Sequence, residues 1–169
     1  MGTGIKAVLL AGASALLLAL AGCDQQAIKE LEEGVSTEAD VRARFGDPEK
    51  IWDAPDGGRT FEYNRQPSGH RNYMITIGTD GKMSALRQVL TPANFAKVQP
   101  GMAMEEVRKM LGKPARITPF ELKGEVAYDW RYLEPPNTHM VFTVFFDRDY
   151  RVLRTSSVVD PDQSSTRSN

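Results

Sequence analysis

The sequence predicts an α+β protein: two consecutive units, each a pair of helices followed by a three-stranded antiparallel meander, behind an apolar leader. Three observations carry this reading. Apolar spacing changes twice along the chain from the helical period of about 3.6 to the strand period of about 2. A set of short motifs returns at a nearly constant offset. The chain also opens on a short basic start with Lys6 and an uncharged run from Ala7 to Ala21, closing with Leu20-Ala21-Gly22-Cys23.

Small residues before the single cysteine make the opening a bacterial lipoprotein signal peptide, cut before Cys23, whose sulfur and amino group then carry acyl chains. The alternative, an uncleaved membrane span, is disfavoured because the run of roughly 15 apolar residues falls short of the ~20 that cross a bilayer. Buried acyl chains at about 0.8 kcal/mol per methylene make such attachment effectively permanent. With Cys23 used as the lipidation site, no disulfide is available. Asp24 is either a sorting residue that retains the protein in the inner membrane, as in enterobacterial-type systems, or an ordinary polar linker residue. The expected organisation is a signal peptide over 1–22, a first unit over 23–90, a second over 91–159 and a disordered tail over 160–169.

With 21 Lys and Arg against 22 Asp and Glu, the formal charge of −1 becomes one unit more negative once Lys6 is removed. Nothing in that balance points to nucleic acid. The remaining length suits one ordinary domain or two small ones.

The repeat favours two. Gly34-Val-Ser-Thr-Glu-Ala-Asp-Val-Arg-Ala-Arg-Phe-Gly-Asp-Pro48 is echoed by Gly101-Met-Ala-Met-Glu-Glu-Val-Arg-Lys-Met-Leu-Gly-Lys-Pro114, one residue shorter. Phe61-Glu62-Tyr63 is echoed by Tyr128-Asp129-Trp130, Ile75-Thr76-Ile77 by Phe142-Thr143-Val144, and Leu86-Arg87 by Leu153-Arg154, each 67 positions on.

Local physics supports each element. A short helix with Ile28 and Leu31 inward opens the first unit. Thr37 and Asp40 form a capping box for a second helix with Val41 and Phe45 on one face, and Gly46 and Pro48 end it. Phe61 and Tyr63 alternate on one strand, and Tyr73, Ile75 and Ile77 on the next. A turn at Thr79-Asp80-Gly81-Lys82 leads to a third strand from Met83 to Val89. In the second unit Val107, Met110 and Leu111 make the helical stripe, with Ala103 or Met104 giving a poorer cap, and Gly112 and Pro114 the stop. Val126, Tyr128, Trp130 and Tyr132 share one strand face; Met140, Phe142, Val144 and Phe146 share another. A turn near Asp147-Tyr150 precedes a last strand from about Arg151 to Val159. The linker, about Thr91 to Asn94, is short enough for the units to pack together. From Asp160 onward no apolar residue remains to hold the chain, which is read as a disordered tail.

At these residues the chain resembles the BamE (SmpA/OmlA) family of bacterial lipoproteins. Gly101-Met102, Val107, Leu111-Gly112-Lys113-Pro114 and Tyr128-Asp129-Trp130-Arg131-Tyr132 follow its pattern, and Arg65-Gln66-Pro67-Ser68-Gly69-His70 is similar to its hairpin segment. The resemblance implies a helix-helix-meander unit, no catalytic site, a place among the accessory subunits of the β-barrel assembly machinery, and binding of partner subunits and anionic phospholipid. Two units in place of one depart from the pattern. A secreted β-lactamase inhibitor with two such units offers the alternative function, inhibition of an envelope enzyme.

Candidate chemistry is sparse. His70 sits in a turn and His139 opens a strand as a loop residue after Pro135-Pro136-Asn137, with no metal-ligand spacing between them. His70 is read as a structural or partner contact in preference to a catalyst. Glu62 and Asp129 are either a paired-carboxylate site or, more simply, the solvated face of a sheet. Arg65 and Arg71 are either headgroup contacts or ordinary surface charge. Trp52, outside the regular alternation, either meets a partner or packs under its loop. The candidate partner-binding set is therefore Trp52, Arg65, Gln66, Pro67, His70 and Arg71. The expected function is a non-enzymatic, lipid-anchored accessory or scaffold on the periplasmic side of a bacterial membrane, with an envelope protein as partner and without cofactor or metal. The family resemblance places it at the outer membrane, Asp24 at the inner one.

Overall fold

The computed structural model describes residues 19–164. The expected signal peptide, and the tail beyond Ser164, lie outside the described residues apart from the backbone of 19–22. Helix α1 (Ala19–Lys29) is followed by α2 (Glu38–Phe45), then by β1 (Lys50–Asp53), β2 (Arg59–Asn64), β3 (Asn72–Ile77) and β4 (Met83–Gln88). After a short α3 (Pro92–Phe95) come α4 (Met104–Leu111), β5 (Arg116–Phe120), β6 (Glu125–Glu134), β7 (Thr138–Phe146), β8 (Val152–Val159) and α5 (Pro161–Ser164). The strands form two antiparallel sheets in sequential order, β1-β2-β3-β4 and β5-β6-β7-β8. The fold is α+β.

Each sheet has four strands, one more than the alternation predicts. The added strands, β1 and β5, follow the Gly-x-Pro stops and lie at sheet edges. All of β5 is exposed or half-buried, so cross-strand backbone bonds hold it without an apolar period to betray it.

Thr37 caps α2 through a full capping box with Asp40. Ala103 at the start of α4 has no side chain to accept a bond, and only the reciprocal half survives, the Ala103 N–H donating to Glu106 Oε2 at 2.7 Å. Both helices end on a glycine of positive φ, Gly46 at 80° and Gly112 at 76°.

Phe61, Tyr63, Tyr73, Ile75, Ile77 and Met83 pack under Val41 and Phe45 to form one core, with Ile28 and Leu31 against it. Tyr128, Trp130, Tyr132, Phe142, Val144 and Phe146 pack under Val107 and Leu111 to form the other. The linker joins this second core: Thr91 caps α3, and Phe95 is buried with its ring stacked on Phe142 at 4.1 Å.

The register corrects the constant offset. Phe61 pairs with Ile75 as Tyr128 pairs with Val144, and Ile77 pairs with Met83 as Phe146 pairs with Val152. The β6–β7 hairpin is therefore two residues longer than β2–β3, and the offset rises from 67 to 69 across it. Two residues are one strand period, so every inward side chain stays inward. The same longer hairpin takes in His139 as the second residue of β7, at the strand opening expected for it.

The expected tail begins too early. Asp160 is 1% exposed and holds Arg131 Nε at 2.8 Å, and α5 follows it directly. An ion pair orders a segment whose composition offers no apolar anchor.

Candidate functional site at the junction of the two halves

On β2 the side chains alternate, so Phe61 and Tyr63 face the first core and Glu62 faces away from it. That outward face was expected to meet water. Instead Glu62 is fully buried, because the end of α4 from the other half covers it. Its carboxylate accepts bonds from Trp52 Nε1 at 2.9 Å, Asn64 Nδ2 at 2.7 Å, the Lys113 N–H at 2.9 Å and Arg108 at 3.2 Å. Four donors meet the demand of a buried charge, which an apolar setting would otherwise penalise heavily. Asn72 completes the contact, donating at 2.8 Å to the carbonyl oxygen of Leu111, an acceptor left open at the end of α4, and at 3.1 Å to that of Lys113 just beyond it. Asn64 Oδ1 also accepts the Lys113 N–H, and Met74, beside Glu62 on the same face, is buried in the second core.

Helix α4 thus serves both sheets. Val107 and Leu111 face β5–β8, while Arg108 and Lys109 reach the outward face of β1–β4. Glu49 and Lys113 add an ion pair across the junction at 2.6 Å. Burial pushes the Glu49 carboxyl up, but Lys113 and Asn64 outweigh it and hold the group below the usual glutamate value.

Trp52 belongs to this junction and is 8% exposed, so its indole is not presented to solvent. Lys50 Nζ lies 3.8 Å over its ring and Lys109 Nζ 5.5 Å. It borders a surface cleft of about 490 Å³ lined also by Asp53, Ala54, Pro55, Thr60 and Lys109.

The segment from Arg65 to Arg71 is a strap within the molecule. Gln66 Nε2 donates to the Arg131 carbonyl at 2.7 Å, and its Oε1 accepts the Arg131 N–H at 3.2 Å, so the side-chain amide pairs with the backbone of β6. Pro67 O accepts Arg131 at 3.3 Å. His70 Nε2 lies 3.0 Å from His139 Nδ1, with the two rings inclined at 74°. Burial, then His139 and Arg131, push the His70 imidazole below its ordinary value. At the other end Arg65 makes a two-pronged bond to Asp24, at 2.7 and 2.8 Å, which pulls the residue after Cys23 onto the fold and raises the Arg65 pKa. Only Pro67 and Arg71 of the six expected contact residues are exposed.

Asp129, the counterpart of Glu62, is 7% exposed and accepts from Arg116 at 2.9 Å and Thr143 Oγ1 at 2.7 Å. The two carboxylates lie on different sheets with separate partners and do not form a paired-acid site. Among the described residues no group of three or more His, Cys, Asp and Glu is placed to hold a metal ion, and no helix is long and apolar enough to cross a membrane.

Sequence reasoning brought together Gln66, Pro67 and His70 but not their partners Arg131 and His139, nor Asn64, Asn72 and Lys113. A polar Asn72 opening an otherwise apolar strand was the available signal. Its partner lies 39 positions away, beyond any local pattern.

Residues 88–156 match the family described as the Outer membrane protein assembly factor BamE domain. No curated protein matches the sequence. Similar solved structures include a DUF4309-family protein of Bacillus subtilis, 18% identical over 78% of this chain and 83% of that one, with a TM-score of 0.29. A candidate beta-lactamase inhibitor protein of Streptococcus mutans is 10% identical over 80% and 95%, with a TM-score of 0.35. An extracellular protein of Bacillus anthracis containing an SCP domain is 11% identical over 96% and 51%, with a TM-score of 0.30.

Proposed function

This chain belongs to the BamE family through residues 88–156, and from that premise we propose that both of its halves are BamE-type units forming one non-enzymatic accessory or scaffold protein of the bacterial envelope. The observation that carries the reading is that the first half, outside the matched region, repeats the second half's internal bonds. Tyr63 OH donates to the Gly46 carbonyl at 3.0 Å, and Trp130 Nε1 donates to the Gly112 carbonyl at 3.0 Å. The Gly34 N–H donates to Met83 O and the Gly101 N–H to Val152 O, both at 2.7 Å. Bridges between Thr37 and Lys82 and between Ala103 and Arg151 close the two turns alike.

In this reading Cys23 carries the lipid anchor, and the protein works on the periplasmic side of the membrane with a protein of the outer-membrane assembly apparatus as partner. The strap is engaged within the chain, so its residues are not the main contact. The exposed outward side chains of the second sheet, Phe120, Arg154 and Val158, are better placed. Tagged full-length protein purified from membranes is expected to enrich an envelope protein, and Phe120→Asp with Val158→Asp to lose it. Cys23→Ser is expected to release the chain from the membrane. Enrichment of nothing above a control, or unchanged membrane retention of the Cys23 variant, overturns the corresponding half of the proposal.

Fractionation of Asp24→Ser and Arg65→Ala separates the two roles open to Asp24. A change of membrane with Asp24→Ser alone marks a sorting signal. The same change with both variants marks the Arg65 clamp as what matters.

A further inference from the structure

The strap joins the two halves through one contact that can change charge. His70 and His139 come from different halves and meet nitrogen to nitrogen at 3.0 Å. Such a contact needs one N–H and one lone pair. It exists when both rings are neutral or when one is charged, and it cannot exist when both are, since two N–H groups then face each other. The other charges around it come from every element packed there: Arg131 from β6, Asp160 after β8, and Arg71 from the strap itself. Asp160 alone favours protonation, and it is already engaged by Arg131 Nε and by the Asp162 N–H at 3.0 Å.

We propose that the Arg65–Arg71 segment is an acid-released strap, in which charging both His70 and His139 parts it from the β6–β7 hairpin and uncovers the Arg131 end of the second sheet. The remaining holds are neutral or weak: the Gln66 amide pair and the 3.3 Å bond from Arg131 to Pro67 O. They set the closed state at higher pH and are insufficient against two facing cations. The sign follows from His70. Its imidazole is held below the ordinary value of 6.5, first by burial and then by His139 and Arg131, so the closed strap binds fewer protons than the open one. Closure is therefore complete above that value and weakens as the pH falls below it. Both cores stay intact, because neither contains an imidazole.

The test is amide hydrogen exchange on the full chain in detergent, expressed as protection factors to remove the intrinsic pH dependence. Between about pH 7.5 and about pH 5.5, protection over residues 65–71 and at Arg131, whose N–H the strap holds, is expected to fall about tenfold, while Phe61, Ile75 and Val144 hold theirs. His70→Gln and His139→Gln keep a neutral hydrogen-bonding group and are each expected to flatten that dependence. Protection that ignores pH in the wild type, or that falls equally in both variants, overturns the proposal. Should the variants misfold, ring NMR of the wild type decides. A coupled titration shared by the two rings supports the strap, and two titrations independent of each other refute it.

Discussion

Glu62 and Asp129 hold the same place in the two halves, between two inward aromatics on the second strand of a four-stranded sheet, yet their surroundings differ. Glu62 is sealed beneath α4 and served by four donors, two of them from the other half. Asp129 is bonded to Arg116, whose side chain is 62% exposed, and to a threonine of its own sheet. The sheet position admits an outward carboxylate in both cases. What the carboxylate is worth depends on whether another element covers it.

The largest test of that difference removes each acid. Glu62→Ala strands Arg108, partly buried, and leaves Trp52 Nε1 without its acceptor, for an expected loss of about 3–5 kcal/mol. Asp129→Ala frees an arginine that water can reach and is expected to cost about 1–2 kcal/mol. Chemical denaturation measures both, and equal losses would mean that α4 adds nothing to the site.

The stop glycines sharpen the comparison. Gly46 and Gly112 share a positive φ, and an alanine at either meets the left-handed penalty of about 1–2 kcal/mol. A methyl at Gly46 has open space, whereas at Gly112 it would lie 2.7 Å from Asn64 Oδ1 and 3.0 Å from Asn72 Nδ2, the side chains that join the halves. Gly112→Ala is expected to cost about 1–2 kcal/mol more than Gly46→Ala, one to two lost hydrogen bonds.

The caps test the helices themselves. Thr37→Ala is expected to destabilise by about 1 kcal/mol, and Ala103→Ser, which supplies the missing acceptor, to stabilise by a similar or smaller amount. Thermal melts would show the two shifts with opposite signs.

The smallest effect is electrostatic. The Glu49 carboxyl is held below 4.5 in the folded chain, so the folded state keeps it ionised where the unfolded state takes a proton. Its contribution is complete above that value and is lost as the pH falls below it. Lys113→Met should remove part of this acid sensitivity. Unchanged dependence between about pH 5 and about pH 3 would show that the pair across the junction does not contribute.

The inward half of the molecule was legible because it is local and periodic. Val41 and Phe45, Phe61 and Tyr63, and Trp130 and Tyr132 declare their faces by spacing, and Thr37 with Asp40 declares its cap. The outward half was misread for one reason. An acid between aromatics on a strand reads as solvated whether or not a helix lies over it, and the helix that covers Glu62 is 46 positions away. Trp52 was left between two readings because β1 is an edge strand with too few residues to show a period, and burial favours packing. The histidines were missed as a pair because a turn and the start of a strand, each unremarkable alone, meet only when the halves pack.

The sequence by itself determined the two cores, the helix ends and the alternation of every inner strand, since those follow from contacts within a few residues or one strand period. Only the tertiary structure decided that the second half's helix seals the first half's sheet, that the Arg65–Arg71 segment binds inward, and that Asp24 is held by Arg65. Each of these depends on polar groups from distant parts of the chain meeting where water is excluded, and no local pattern in the chain encodes which groups those will be.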